Sequence, residues 1–124
     1  MRWILNAFSL NMLPASSEVV VRIRRLTLQE AQSVARTAQS AVGHANTAEV
    51  MARELGLPIG FDRRTVALEE GDECLVGQYD GRRLPEGAVQ LPSGGSMVWL
   101  LVRLERAGEG NSELEGARSP WAGC

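Results

Sequence analysis

Residues 18–40 read EVVVRIRRLTLQEAQSVARTAQS, and the change of pattern inside this stretch decides the fold class. Apolar and polar residues alternate over 18–25, which predicts a strand. Thr27 and Glu30 then have the spacing of a capping box, which predicts a helix that begins there and runs to about Ser40. A strand that leads directly into an amphipathic helix is typical of an α/β or α+β domain, in which helices pack on a sheet.

The rest of the chain supplies further strands and a second helix. Asn46 has an acidic residue three positions on and is predicted to cap the second helix, which ends near Gly56. The turn residues at 69–72 predict a hairpin between two strands. The predicted strands cover residues 3–6, 18–25, 65–68, 73–79 and 96–105. We therefore predict one α/β (α+β) domain over residues 1–106, with a mixed five-stranded sheet flanked by helices, and a disordered tail over 107–124.

Length and composition favour a soluble globular protein. The chain has 124 residues, of which 44% are hydrophobic and 23% charged, and these values suit a single globular domain. It has no apolar run long enough to span a bilayer and no secretory signal pattern, so a cytoplasmic location is expected, in a prokaryotic cell or in an infected host cell. Cys74 and Cys124 are expected to be unpaired thiols. No paired-cysteine motif is present, so neither a metal site nor a cofactor is expected.

The basic residues are unusual because all thirteen are arginine. Biased genomic composition explains this sufficiently, but the consequence for function holds in any case. A phosphate-binding Walker loop, which needs lysine, is excluded, and any cationic phosphate contact must come from arginine. The net charge of −2 argues against a surface that coats duplex DNA. An anionic ligand therefore needs a local cluster of arginines.

The single histidine, His44, follows Gly43 directly before the second predicted helix. Histidine is the side chain that ordinarily changes charge near neutral pH, so it is the first candidate for proton transfer. A glycine beside a helix N-terminus also lets the backbone approach a phosphate. Two plainer interpretations stay open: His44 as a surface residue, and Gly43 as the C-cap of the preceding helix.

Three further polar groups are candidates for ligand binding. Arg83 and Glu86 share one loop, where the arginine can neutralise a phosphate and the carboxylate can assist the histidine or handle a proton. The plainer interpretation is a solvated turn with a surface ion pair. The other two groups are a polar set near the N-terminus, which can equally cap a short helix, and an arginine pair before a predicted strand: Asn6, Ser9 and Asn11, and Arg63 and Arg64.

Four blocks occur in an order that resembles a known family. They are Leu5-Asn-Ala-Phe-Ser-Leu-Asn-Met-Leu13, Ala41-Val-Gly-His44 with Asn46-Thr47, Glu70-Gly-Asp-Glu73 and Arg83-Leu-Pro-Glu-Gly87. Together they resemble the viral anti-CRISPR ring nuclease family and its host relatives over about residues 3–105. Pro85 departs from that pattern.

The resemblance implies a homodimer that binds cyclic tetra-adenylate in a symmetric pocket and cleaves it without metal, which switches off type III CRISPR signalling. It implies His44 as the catalytic general acid, assisted by Glu86, with the ribose 2′-OH as nucleophile. It further implies these ligand-binding positions: Asn6, Ser9, Asn11, Gly43, Asn46, Thr47, Arg83, and one of Arg63 and Arg64. Duplex nucleic acid and membranes are not expected partners. The alternative is a small dimer that binds the nucleotide without turnover, as a sponge or regulator.

Overall fold

The architecture is known from a computed structural model, which describes residues 1–80 and 96–106. Five strands, two α-helices and one short 3-10 helix, Leu10–Met12, form in this part of the chain. In chain order they are β1 (Arg2–Leu5), the 3-10 helix, β2 (Val21–Leu26), α1 (Leu28–Ala35), β3 (Gln39–Ser40), α2 (Ala45–Leu55), β4 (Glu73–Asp80) and β5 (Ser96–Leu104).

The five strands form one mixed sheet in the order β2-β5-β4-β1-β3. Strand β1 pairs in parallel with both β3 and β4, whereas β5 is antiparallel to both of its neighbours. The prediction of an α+β domain with a mixed five-stranded sheet is therefore confirmed. The expected homodimer stays a prediction.

Each face of the sheet carries its own hydrophobic core, because successive strand residues point to opposite sides. Ile4 and Leu75 belong to a cluster that includes buried residues of both helices, such as Ala31 and Met51, so α1 and α2 cover one face. Leu5 and Val76 belong to a second cluster on the other face. Irregular segments cover that face and contribute residues such as Phe8.

Helix α1 begins as predicted but ends earlier. Thr27 Oγ1 accepts from the Glu30 N–H, and the Glu30 carboxylate accepts from the Thr27 N–H, so the capping box is complete. The helix ends at Ala35 rather than near Ser40, because the chain becomes extended to pair β3 with β1. A two-residue strand carries no periodic signal, so the sequence did not predict β3.

The predicted strand over residues 65–68 does not form, although Val66 and Leu68 are buried. The expected turn is present: the Asp72 N–H donates to the Glu69 carbonyl at 3.0 Å, and Gly71 has a φ of 88°. The hairpin is absent because β4 already has β1 and β5 as its two neighbours. Residues 65–68 instead pack over the face opposite the helices.

Strand β5 lies inside the sheet, between β2 and β4. Trp99 is 5% exposed and stands opposite Gly77 of β4. The apolar character of this strand is thus accounted for by the core of one chain.

Two further observations concern predictions from composition. Within the described ranges, no helix is long and apolar enough to cross a membrane. Cys74 is a free, fully buried thiol, and burial raises its pKa to about 12. Cys124 and the rest of the predicted tail lie outside the described residues.

Candidate functional site

Several of the predicted site residues lie at one edge of the sheet. Since β1, β3 and β4 run in parallel, their carboxyl ends point to the same edge. Asn6 directly follows β1, and Gly43 and His44 follow β3 after a short extended link. Open α/β sheets bind ligands outside the carboxyl ends of their strands. The topology therefore brings together two blocks that lie far apart in sequence.

A hydrogen bond joins these two blocks. The Gly43 N–H donates to Asn6 Oδ1 at 3.4 Å. Behind it, the Ala41 N–H donates to the Ile4 carbonyl at 2.9 Å, which continues the pairing of the two strands. Asn6 is half-buried, and this contact orients its side-chain amide toward the start of α2. The first role of Asn6 is thus to position the backbone of the Gly-His segment.

His44 is the N-cap residue of α2, and its side chain makes no capping hydrogen bond. The first N–H paired inside the helix is that of Ala48, which donates to the His44 carbonyl at 2.9 Å. The N–H groups of the preceding residues, among them Asn46 and Thr47, point out of the helix start, as in any α-helix. An anion at this position is stabilised by these donors and by the helix dipole.

The predicted cap at Asn46 is therefore wrong, because the helix begins two residues earlier. Asn46 and Thr47 lie inside the first turn, where both are half-buried. The alternative assignment of Gly43 as the C-cap of the first helix is also wrong, because α1 ends at Ala35. Gly43 belongs to the segment that leads into α2.

The space around Gly43 does not require a glycine. A Cβ atom built on this residue lies 3.6 Å from Cγ of Arg63, an ordinary van der Waals distance. The left-handed glycines among the described residues are Gly56 and Gly71, so Gly43 does not have that conformation. Packing within the protein thus gives no reason for a missing side chain at residue 43.

Ser9 and Asn11 serve the local structure. Ser9 is the N-cap of the 3-10 helix, and its Oγ accepts from the Asn11 N–H at 3.2 Å. The capping role that the sequence left open is thus observed for Ser9. The Asn11 side chain is exposed and available for a ligand contact.

The two candidate arginines have different surroundings. The Arg63 side chain is exposed, and its Cγ lies 3.6 Å from a Cβ atom built on Gly43. Arg64 binds Asp62 through Nη2 and Oδ2 at 2.6 Å, and its guanidinium lies 5.5 Å from the ring centroid of Trp3. Arg63 is therefore the better placed of the two for a ligand at the start of α2.

Arg83 and Glu86 lie outside the described residues, so their predicted roles stay predictions. Asp80 and Ser96, which flank that stretch, are partners at the end of the β4–β5 ladder. This end of the ladder is on the side of the sheet to which β1 and β3 point. Elsewhere, among residues 1–80 and 96–106, no group of three potential metal ligands comes together.

Phe61, which the sequence did not single out, borders the same site. It forms a parallel bridge with Val42, the residue before Gly43, and its side chain is 55% exposed. No periodic pattern surrounds Phe61, so only the tertiary pairing reveals its position.

The fold and the site together define a class: a small α+β protein with a polar, anion-favouring site at the carboxyl ends of its parallel strands. Within that class, the chain belongs to the STIV B116-like family, whose model matches residues 2–93. It is 32% identical over 107 residues to "Uncharacterized protein 26" of Sulfolobus islandicus filamentous virus (isolate Iceland/Hveragerdi), covering 81% of this chain and 89% of that protein. It is also similar to the solved structure of B116 of Sulfolobus turreted icosahedral virus, with a TM-score of 0.68, 26% identity, and coverage of 82% of this chain and 97% of the other.

These comparisons correct the resemblance drawn from the sequence blocks. The family that matches is the STIV B116-like family, and the relatives are B116 and protein 26 of two viruses. The assignment to the anti-CRISPR ring nuclease family is therefore wrong.

Proposed function

We propose that this chain is a metal-independent phosphodiesterase that binds and cleaves cyclic tetra-adenylate, and that it thereby switches off type III CRISPR signalling. The observation that carries the proposal is the position of His44 at the start of α2, where its side chain makes no capping bond. A proton donor thus stands beside the place where the helix favours a phosphate. Cyclic tetra-adenylate is the proposed substrate, because each of its phosphodiesters has a neighbouring ribose 2′-hydroxyl that can act as the nucleophile.

Binding rests on the backbone and on arginine. The N–H groups at the start of α2 donate hydrogen bonds to one phosphodiester, and the hydrogen bond from Gly43 to Asn6 fixes the segment that carries them. Arg63, beside Gly43, adds a positive charge that can grip a phosphate through two nitrogens. Arg83 is proposed as a second cationic contact.

The proposed chemistry uses the ribose itself. The 2′-oxygen attacks the adjacent phosphorus, and its proton passes to a base, a role that we give to Glu86. A 2′-O–P bond forms and the bond from phosphorus to the 5′-oxygen breaks, leaving a 2′,3′-cyclic phosphate. His44 donates a proton to the departing 5′-oxygen, which leaves as a hydroxyl. In-line geometry and charge stabilisation supply the rest of the rate enhancement.

The test is single-turnover cleavage of cyclic tetra-adenylate in EDTA by the wild type and two His44 variants. His44→Ala removes the proton donor and should slow cleavage about a hundred- to ten-thousand-fold while binding is retained. His44→Asn is the matched control, because asparagine caps helices well but cannot donate this proton. We expect both variants to be equally slow. Cleavage at the wild-type rate by either variant would show that His44 is not the acid.

Gly43→Ala tests the phosphate contact separately. Because a Cβ atom at this position meets nothing closer than 3.6 Å, the fold should tolerate alanine. The added methyl group should nevertheless hinder close approach of a phosphate to the backbone. We expect weaker binding of cyclic tetra-adenylate at unchanged thermal stability. Equal loss of stability and binding would instead assign Gly43 to the fold.

The oligomeric state belongs to the same proposal. A cyclic ligand with two-fold character suits an isologous homodimer, in which each protomer presents the same residues to one half of the ring. Light scattering should give twice the monomer mass at micromolar concentration. A monomer with full activity would remove this part of the proposal.

The second candidate is a dimer that holds the nucleotide without turnover. The half-buried Asn6 amide and the helix start are features that binding alone would need, and this keeps the candidate open. Tight binding with no product in the wild type would favour it.

A further inference from the structure

We propose that Phe61 is a stacking platform for a base of the bound nucleotide, an inference that rests on the nucleotide-binding part of the proposed function. The ring is one of the few large apolar side chains that the described part of the chain leaves exposed, at 55%. Single exposed apolar residues are common on protein surfaces, so exposure alone decides nothing. The position of Phe61 relative to the site carries the inference.

The backbone around Phe61 is firmly attached to the edge of the sheet. The Asp62 N–H donates to the Val42 carbonyl at 3.0 Å. The Ser40 hydroxyl donates to the Gly60 carbonyl at 2.6 Å. Phe61 itself is the parallel bridge partner of Val42. These contacts extend the sheet edge beyond β3 and hold Phe61 next to the residue that precedes Gly43.

The direction of the Phe61 side chain follows from this pairing. Partners in a parallel ladder point to the same side of a sheet, as do residues two apart in one strand. Val42 is buried in the cluster under the helices, and Ile59 packs against that same cluster. Phe61 therefore projects on the face that carries α2. The segment that leads into α2 lies between Phe61 and Asn6, because Val42 pairs with Phe61 and Gly43 donates to Asn6.

An exposed aromatic ring beside an anion-favouring helix start matches the chemistry of a nucleotide. A phosphate bound at the N–H groups of α2 is linked through a single ribose to its base. Every base has a flat π-face, and stacking on an aromatic side chain contributes substantially to binding of single-stranded nucleic acids. Because the backbone of residues 60–62 is already fixed, little conformational entropy is lost when the base stacks.

The experiment measures equilibrium binding of cyclic tetra-adenylate in a His44→Ala background, so that turnover does not interfere. Phe61→Ala should weaken binding about five- to 150-fold. Phe61→Trp should keep the affinity, because it retains an aromatic face. Phe61→Leu, which keeps apolar area without that face, should resemble Phe61→Ala. The matched control is Ile23→Ala on β2, because Ile23 is 58% exposed at the far edge of the sheet and its loss should change nothing.

The outcomes separate this inference from the proposed function. If the His44→Ala parent binds and Phe61→Ala binds equally well, the stacking role is wrong and the site proposal stands. If Phe61→Leu binds as the parent does, apolar contact rather than stacking explains the residue, and the inference is wrong. If neither the His44→Ala parent nor the wild type binds cyclic tetra-adenylate, both proposals are wrong. Thermal unfolding of each variant confirms that this exposed residue does not affect the fold.

Discussion

Gly77 is the position where a single added methyl group should be most informative about how the fold supports the site. An ideal Cβ on this residue lies 2.6 Å from Cζ3 of Trp99, 2.9 Å from Cε of Met51 and 3.0 Å from Cε of Met97. The two methionine ends are flexible and can move. The indole ring is rigid and buried, and it stands directly opposite Gly77 in the ladder. Alanine at residue 77 therefore forces the Trp99 ring or the strand to shift.

The expected size of the effect follows from two opposing terms. Overpacking a well-filled core costs about 1–3 kcal/mol. Replacing a strand glycine by alanine recovers about 0.5–1 kcal/mol of backbone entropy. We expect Gly77→Ala to lower the free energy of unfolding by about 1–2 kcal/mol, since the steric cost exceeds the entropic gain. Urea denaturation should show a lower midpoint at an unchanged slope.

Gly60→Ala is the matched control, because its Cβ meets nothing within 4 Å and its backbone is not left-handed. It should be neutral or slightly stabilising. Trp99→Phe removes the clashing Cζ3 atom. The Gly77→Ala, Trp99→Phe double variant should therefore lose less free energy of unfolding than the two single variants lose in sum. Full additivity, or a Gly77→Ala protein as stable as the wild type, would refute the steric argument.

Four other positions give sharp expectations. Cys74 is fully buried, and its pKa is raised to about 12. In a Cys124→Ser background, the native protein should therefore not react with an aromatic disulfide reagent until it unfolds. Fast reaction of the native protein would contradict the burial of Cys74. Thr27→Ala should cost about 0.5–2 kcal/mol by loss of the helix cap, with Thr27→Ser close to the wild type in urea melts. The pKa of Glu30 is lowered by its hydrogen bonds to the Thr27 backbone and to Arg24. The Glu30 carboxylate therefore stabilises the fold at pH values above its unfolded pKa of 4.5, and this effect is lost as the pH falls through its folded pKa. Glu30→Gln should remove this part of the acid dependence of stability. Gly56 ends α2 with a φ of 68°, so Gly56→Ala should cost about 1 kcal/mol and Gly56→Asn less, as read from thermal unfolding.

The parts of the fold that the sequence predicted are those fixed by neighbouring residues. The step from β2 into α1 depends on the alternation of side chains and on a capping box that spans four residues. The capping box formed as predicted, and the strand formed over Val21–Leu26 rather than over 18–25. The parts that failed depend on pairing across the chain. Residues 65–68 have the alternation of a strand, but the sheet position beside β4 belongs to β1. No local pattern encodes that competition.

The candidate site shows the same contrast between features fixed by neighbouring residues and features fixed by pairing across the chain. The order of the sequence blocks placed Asn6 and His44 in one site, and the structure brings the residues after β1 and β3 together. The helix start was misplaced because asparagine is a better cap than histidine, so local preference favoured Asn46. The actual start is set by the Val42–Phe61 bridge, which keeps the chain extended up to Gly43. No local pattern identifies Phe61 either, because its position beside the site depends entirely on that bridge.

The position of His44 is consequently set from two sides. From the sheet, the pairing of β3 with β1 and the bond from Gly43 to Asn6 fix where the chain enters α2. From the core, Met51 of α2 and Trp99 of β5 both lie against the space that Gly77 leaves open, so packing at this glycine supports the helix from below. A methyl group added at residue 77 disturbs the packing beneath α2, whereas a methyl group added at residue 43 meets nothing closer than 3.6 Å and lies only beside the helix start. Gly77→Ala should therefore change stability and ligand affinity together, while Gly43→Ala should change ligand affinity alone. That contrast separates the residues that support α2 against the sheet from those that contact the ligand.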